Sequence, residues 1–131
     1  MAEIRWTHTL DLGHGLVTPG LWPPMDIVAA GCPKDLRGMK VLDLGTADGG
    51  CAFQAERLGA ASVLATDCYL WGDAPGTSRA AFDFAREALG SRVEGRYLPV
   101  LDHSPETVGV FDLVLFLGVL YHLRHPLLAL E

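Results

Sequence analysis

Short apolar runs alternate with amphipathic segments through most of the chain, and this alternation limits the possible folds more than any other feature. KVLDLG (40–45) is short, apolar and flanked by turn residues, so it reads as a buried strand. GCAFQAERLG (50–59) reads as a helix, with Asp48 or Gly49 near its start and Gly59 as its stop. SVLATD (62–67) is a second strand. SRAAFDFAREALG (78–90) is a second helix, with Phe82, Ala85 and Leu89 on one face and Gly90 ending it. RYLPVLD (96–102) is a third strand, weakened by Pro99. FDLVLFLG (111–118) is a fourth strand, and HPLLALE begins another helix. Strands alternating with helices imply a Rossmann-like α/β fold: a parallel sheet with helices on both faces, here ending after the fourth strand.

Residues 1–34 lack this regularity. Gly13, Gly15, Pro19, Gly20, Pro23 and Pro24 punctuate an irregular lead-in over 1–24, and a short helix is expected at about 25–31, closed by Gly31 and Pro33. The working domain is therefore expected over 35–131. A chain of 131 residues suffices for one small domain. Ten basic against sixteen acidic residues, a net charge of −6, argue against a large nucleic-acid footprint.

Three cysteines, Cys32, Cys51 and Cys68, show no CxxC pairing and fit small buried thiols in a reduced, cytoplasmic protein. MAEIRWTHTLDLG has no apolar signal core. The most apolar stretch, 113–123, is broken by Gly118 and too short for a membrane span.

In open parallel sheets, ligands lie beyond the carboxyl ends of the strands. Three of the four strands carry an acid there: Asp43 with Gly45, Asp67, and Asp102. The fourth ends at Leu117 and Gly118. Gly45 and Gly49 permit a tight turn and close ligand approach. A carboxylate at Asp67 suits ribose hydroxyls. A dinucleotide would also set a pyrophosphate near Asp43, and two like charges ~4 Å apart cost about 4 kcal/mol at an effective dielectric near ~20. S-adenosylmethionine carries the ribose without phosphate and brings two cationic groups, so it fits the turn better. The plainer alternative is that Asp43 and Asp67 only cap neighbouring turns.

The stretches VLDLGTADGG and FDLVLFLGVLYHLRHPLLALE, together with Asp67 and Asp102, resemble the class I S-adenosylmethionine-dependent methyltransferases. LGVLYHLRHP, and HTLDLGHGLVTPG in the lead-in, look like the branch that contains the tRNA wobble-uridine carboxymethyltransferases and their small relatives. The resemblance implies methyl transfer from S-adenosylmethionine. It puts Asp43, Gly45, Thr46, Ala47 and Gly49 in the methionine-binding turn, Asp67 with Cys68 at the ribose, and Leu101 with Asp102 at the adenine. Leu117 and Tyr121 would line the methyl-transfer face. Tyr121 and His122 are the catalytic candidates, acting as a base only if the acceptor must lose a proton. Ala47 replaces the usual middle glycine of the turn and narrows it.

The implied acceptor is a small molecule or nucleoside. Carboxymethyl transfer to tRNA needs a cation for the extra carboxylate, and a non-catalytic nucleoside-binding module is the other alternative. His122 and His125 lack a third ligand at metal spacing, so no metal is expected. His14 and His103 read as solvated loop histidines, Arg124 as a solvated side chain, and Trp22 and Trp71 as either pocket lid or core. A fourth strand left at the sheet edge would mean either that the chain is a fragment of a longer protein or that it self-associates through 112–118.

Overall fold

A computed structural model describes residues 3–131; Met1 and Ala2, the first two residues of the expected lead-in, lie outside the described residues. In chain order the elements are β1 (Lys40–Leu44), α1 (Gly50–Arg57), β2 (Ser62–Asp67), α2 (Ala80–Ala88), β3 (Glu94–Tyr97), α3 (Pro105–Val108) and β4 (Leu113–Leu115). Short 3-10 turns at Val100–Asp102, Leu120–His122 and Leu128–Leu130 complete them. The strands form one parallel sheet in the order β3-β2-β1-β4. The expected Rossmann-like α/β architecture is therefore present, with β4 at the edge.

β1 is central because both of its edges find partner strands. Val41 pairs with Val63 on one side and Leu113 on the other, and Asp43 sits between Ala65 and Leu115. Alternation of side chains then divides the packing. Val41, Val63, Ala65 and Leu115 join Ala52, Phe53 and Ala55 of α1 and Phe82 and Ala85 of α2 in the main core. Leu42, Leu44 and Leu64 face the opposite way, where Val108 of α3, Phe111 and Phe116 pack against them. That second face is thinly covered, and Val114, level with Leu42, stays 50% exposed.

Differences from the sequence expectations have local causes. The segment at 25–31 makes a turn rather than a helix: the Asp26 side chain accepts the amides of Val28 and Ala29, which satisfies them without further helical turns. β3 occupies 94–97 rather than 96–102, because Pro99 has no N–H to extend the ladder and the chain bends into the turn at Val100–Asp102. β4 spans 113–115 only, matched to the three residues of β1 that pair with it. The terminal helix expected at 125–131 is reduced to the turn at Leu128–Leu130, and Leu89 is exposed at the end of α2. α3 was not expected. Ser104 caps it by accepting the Thr107 amide while Thr107 Oγ1 accepts the Ser104 amide, with Pro105 at its first position.

The lead-in is irregular as expected, but it belongs to the same core. Leu10, Leu12 and Ile27 are buried in it beside Leu36 and Val41.

Candidate functional site

The sheet grows outward from β1 in both directions: β2 follows on one side, and β4 is added on the other. A crevice must open where the order reverses, beyond the carboxyl ends of β1 and β4. A cavity of about 800 Å³ lies there. Its floor is Asp43, Gly45, Thr46 and Ala47 from the turn after β1, with Asp67 and Cys68 after β2. Leu117, Gly118, Val119, Tyr121 and His122 form one wall. The opposite wall comes from the lead-in: Thr7, His8, Trp22, Pro23, Pro24 and Met25.

The turn is held from several sides. The amides of Gly45 and Thr46 both donate to the Thr66 carbonyl, at 2.8 and 3.0 Å. Ala47 adopts a left-handed conformation (φ 52°), uncommon for a residue with a side chain. Its amide donates to Asp67 Oδ2 and its carbonyl accepts from Trp71 Nε1, both at 2.9 Å. Trp71 is therefore core, tilted against Phe82, and fixes the turn. Trp22 is 66% exposed and stands at the cavity wall.

Asp43 and Asp67 are both buried, yet they differ in what they hold. Asp67 has a backbone amide on each oxygen, Ala47 on Oδ2 and Leu70 on Oδ1, both at 2.9 Å. Asp43 Oδ2 and Thr46 Oγ1 have no well-formed hydrogen bond among the described residues. Burial pushes the Asp43 carboxyl up to about 6; the nearby Thr46 hydroxyl and the Ala52 backbone amide oppose this, and the Asp67 carboxylate adds to it. A carboxylate that is buried, short of partners and lining a cavity favours a cationic group there. Burial likewise pushes the Cys51 thiol up to about 12, so it is an inert wall of the cavity rather than a nucleophile.

The remaining sequence candidates divide. Gly49 does not line the cavity. Its role is structural: it caps α1 with φ 93°, and a Cβ there would lie 2.5 Å from Phe53. Leu101 and Asp102 are exposed and outside the cavity; the turn that follows Pro99 sends Val100 to the wall in their place. Tyr121 is 78% exposed; His122 stacks on Tyr69 with centroids 5.8 Å apart and meets Tyr121 tilted at 4.1 Å, so the three form an aromatic rim. His125 and Arg124 are exposed, as is His14. His103 is not a solvated loop histidine. Its Nδ1 faces the carbonyls of Pro99 and Val100 and its Nε2 lies 2.9 Å from the buried Thr66 hydroxyl, tying the Val100 turn to β2. Among the described residues, no three His, Cys, Asp or Glu side chains converge as a metal site.

Sequence reasoning also missed Asp48, which it treated as a helix start. Its buried Oδ2 accepts the amides of Thr7 and His8, both at 2.7 Å, and so fastens the lead-in to the turn.

This arrangement has solved counterparts. The N-terminal domain of EvdMO1, crystallised in the presence of SAH and D-fucose, superposes with a TM-score of 0.69 at 25% identity, over 95% of this chain and 52% of that one. The same domain with SAH bound gives 0.65 at 25% identity, over 95% and 53%. The chain has a Rossmann-like methyltransferase fold. The PH0226 protein from Pyrococcus horikoshii OT3 superposes less fully, with a TM-score of 0.53 at 28% identity, over 69% of this chain and 38% of that one. The chain spans about half the length of the EvdMO1 domain it matches. No protein-family model and no curated protein matches it. No helix among the described residues is long and apolar enough to cross a membrane.

Proposed function

We propose that the chain is the cofactor-binding part of an S-adenosylmethionine-dependent methyltransferase. The observation that carries this reading is the Asp43 carboxylate, whose Oδ2 has no hydrogen-bond partner among the described residues, buried at the cavity floor beside Gly45. Asp43 and Thr46 would hold the cationic methionyl end, and the spare lone pairs of Asp67 the ribose. The bound cofactor supplies an electrophilic methyl group, and the chain's contribution is to hold it against an acceptor in attacking geometry. The SAH present in the neighbouring EvdMO1 domain supports the assignment. The D-fucose present with SAH in one of those two structures supports a small-molecule acceptor.

Among the residues that line the cavity there is no lysine or arginine. A carboxylated cofactor would lack a counter-charge there, so simple methyl transfer is favoured over carboxymethyl transfer to tRNA. Calorimetric titration with SAH tests the reading. The wild-type chain should bind, and Asp43→Asn should bind at least about tenfold more weakly, since a charge-assisted contact contributes about 1.5–3 kcal/mol. No heat and no thermal shift with the wild-type chain would leave only an interaction module.

We further propose that the β4 edge pairs with a second copy of the chain, because its outer backbone groups and the half-exposed Val114 present an open strand. Light scattering should show a dimer that Val114→Lys returns to monomer. A monodisperse monomer at high concentration would exclude this pairing.

A further inference from the structure

His8 is fixed more firmly than a residue in an irregular segment requires. Its amide donates to Asp48, and its carbonyl accepts from Thr18 Oγ1 at 2.6 Å. It forms a bridge with Trp22, and Gly20 packs so closely that a Cβ there would overlap the His8 carbonyl. These anchors hold the backbone. The imidazole, in contrast, has an unused nitrogen: Nδ1 is buried without a hydrogen-bond partner, 3.8 Å from Asp48 Oδ2. The side chain as a whole keeps 24% exposure, and the residue lines the cavity. Since Nδ1 contributes none of that exposure, the accessible edge is the one bearing Nε2.

A neutral imidazole carries one N–H and one lone pair. A lone pair on Nδ1 would face the Asp48 carboxylate at close range, whereas an N–H there is attracted to it. The proton therefore belongs on Nδ1 and the lone pair on Nε2. Asp48 is itself immobile, buried beneath the turn and bonded to two amides.

We infer that His8, oriented by Asp48, is the proton acceptor on the lead-in side of the cavity, and that the group methylated there is a hydroxyl. This rests on the methyltransferase reading above. The acceptor oxygen forms its bond to the methyl carbon as the bond from that carbon to the donor sulfur breaks. The hydroxyl proton passes to His8 Nε2, and the positive charge left on the ring lies against Asp48. The donor leaves as a neutral thioether, and the proton returns to solvent when the product departs. An amine acceptor would need this base less, since its lone pair attacks before any proton is lost. Trp22, Pro23, Pro24 and Met25 form an apolar wall beside His8, which suits a hydroxyl on a ring with an apolar face.

The test uses the full chain with SAH as the probe. Nitrogen-15 spectra of the imidazoles should show neutral His8 as the Nδ1–H tautomer, and Asp48→Asn, which still offers an oxygen to the Thr7 and His8 amides, should lose that preference. Diethyl pyrocarbonate should acylate His8 at Nε2 in the SAH-bound protein, mapped by mass spectrometry. His8→Gln should bind SAH within about twofold of wild type, because the ring serves the acceptor side. The inference is overturned if His8 is found as the Nε2–H tautomer, if it stays unmodified while exposed His14 and His125 react, or if His8→Gln abolishes SAH binding. Failure of the wild-type chain to bind SAH sinks the methyltransferase reading instead, and the tautomer result is read independently of it.

Discussion

Phe82→Ala is expected to cost about 3–5 kcal/mol of folding stability, the usual range for a large ring removed from a closed core. Phe82 has no exposure. It lies 4.8 Å from the Trp71 ring and 5.6 Å from Phe53, with the Arg79 guanidinium 5.5 Å above it. The cavity cannot collapse easily, since Trp71 is held by its bond to Ala47 and Phe53 belongs to α1. In a domain whose whole stability is about 5–15 kcal/mol, such a loss takes away much of the margin. Urea denaturation of wild type and variant should show a lower midpoint at unchanged slope. A loss below about 1 kcal/mol would mean that the packing around Phe82 adapts more freely than these contacts allow.

Asp67→Ala should damage both folding and binding, by separable amounts. Removing the carboxylate strands the Ala47 and Leu70 amides, which are otherwise paired only to it. Each unsatisfied buried donor costs about 1–3 kcal/mol. The ribose contact proposed for the same carboxylate adds a loss of about 1.5–3 kcal/mol in SAH affinity. Thermal scans read the first effect and calorimetry on the folded fraction reads the second. A destabilised variant with unchanged affinity would make Asp67 a structural support of the turn and nothing more.

Legibility in the sequence depended on whether local pattern and tertiary structure agreed. β2 falls on the residues expected for it, and β1 ends one residue earlier than expected, because apolar runs between turn residues admit few other assignments. The placing of Asp43, Gly45, Asp67 and Leu117 around one cavity followed from strand ends, and that of Thr46, Ala47 and Cys68 from the family resemblance. Asp102 shows the limit. The sequence put it at a strand end, but β3 stops at Tyr97 before Pro99, and Asp102 falls in the following turn, exposed. His8 and Asp48 had no signal to read. The lead-in has no period, and contact between residues forty apart is set by folding rather than by spacing.

The sheet order also governs when the molecule can be assembled. Lys40 and Asp112 are 72 residues apart, yet the Asp112 carboxylate accepts the Lys40 amide just where β1 begins to pair with β4. During synthesis, β1 meets β2 soon after both emerge, but its other edge waits until Asp112, 72 residues beyond the start of β1, has followed with β4. Closing so long a loop is entropically slow and gains nothing until the contact forms. A nascent chain in this interval carries a half-built crevice and an open central strand, a state in which capture by a chaperone or by a neighbouring polypeptide competes with completion.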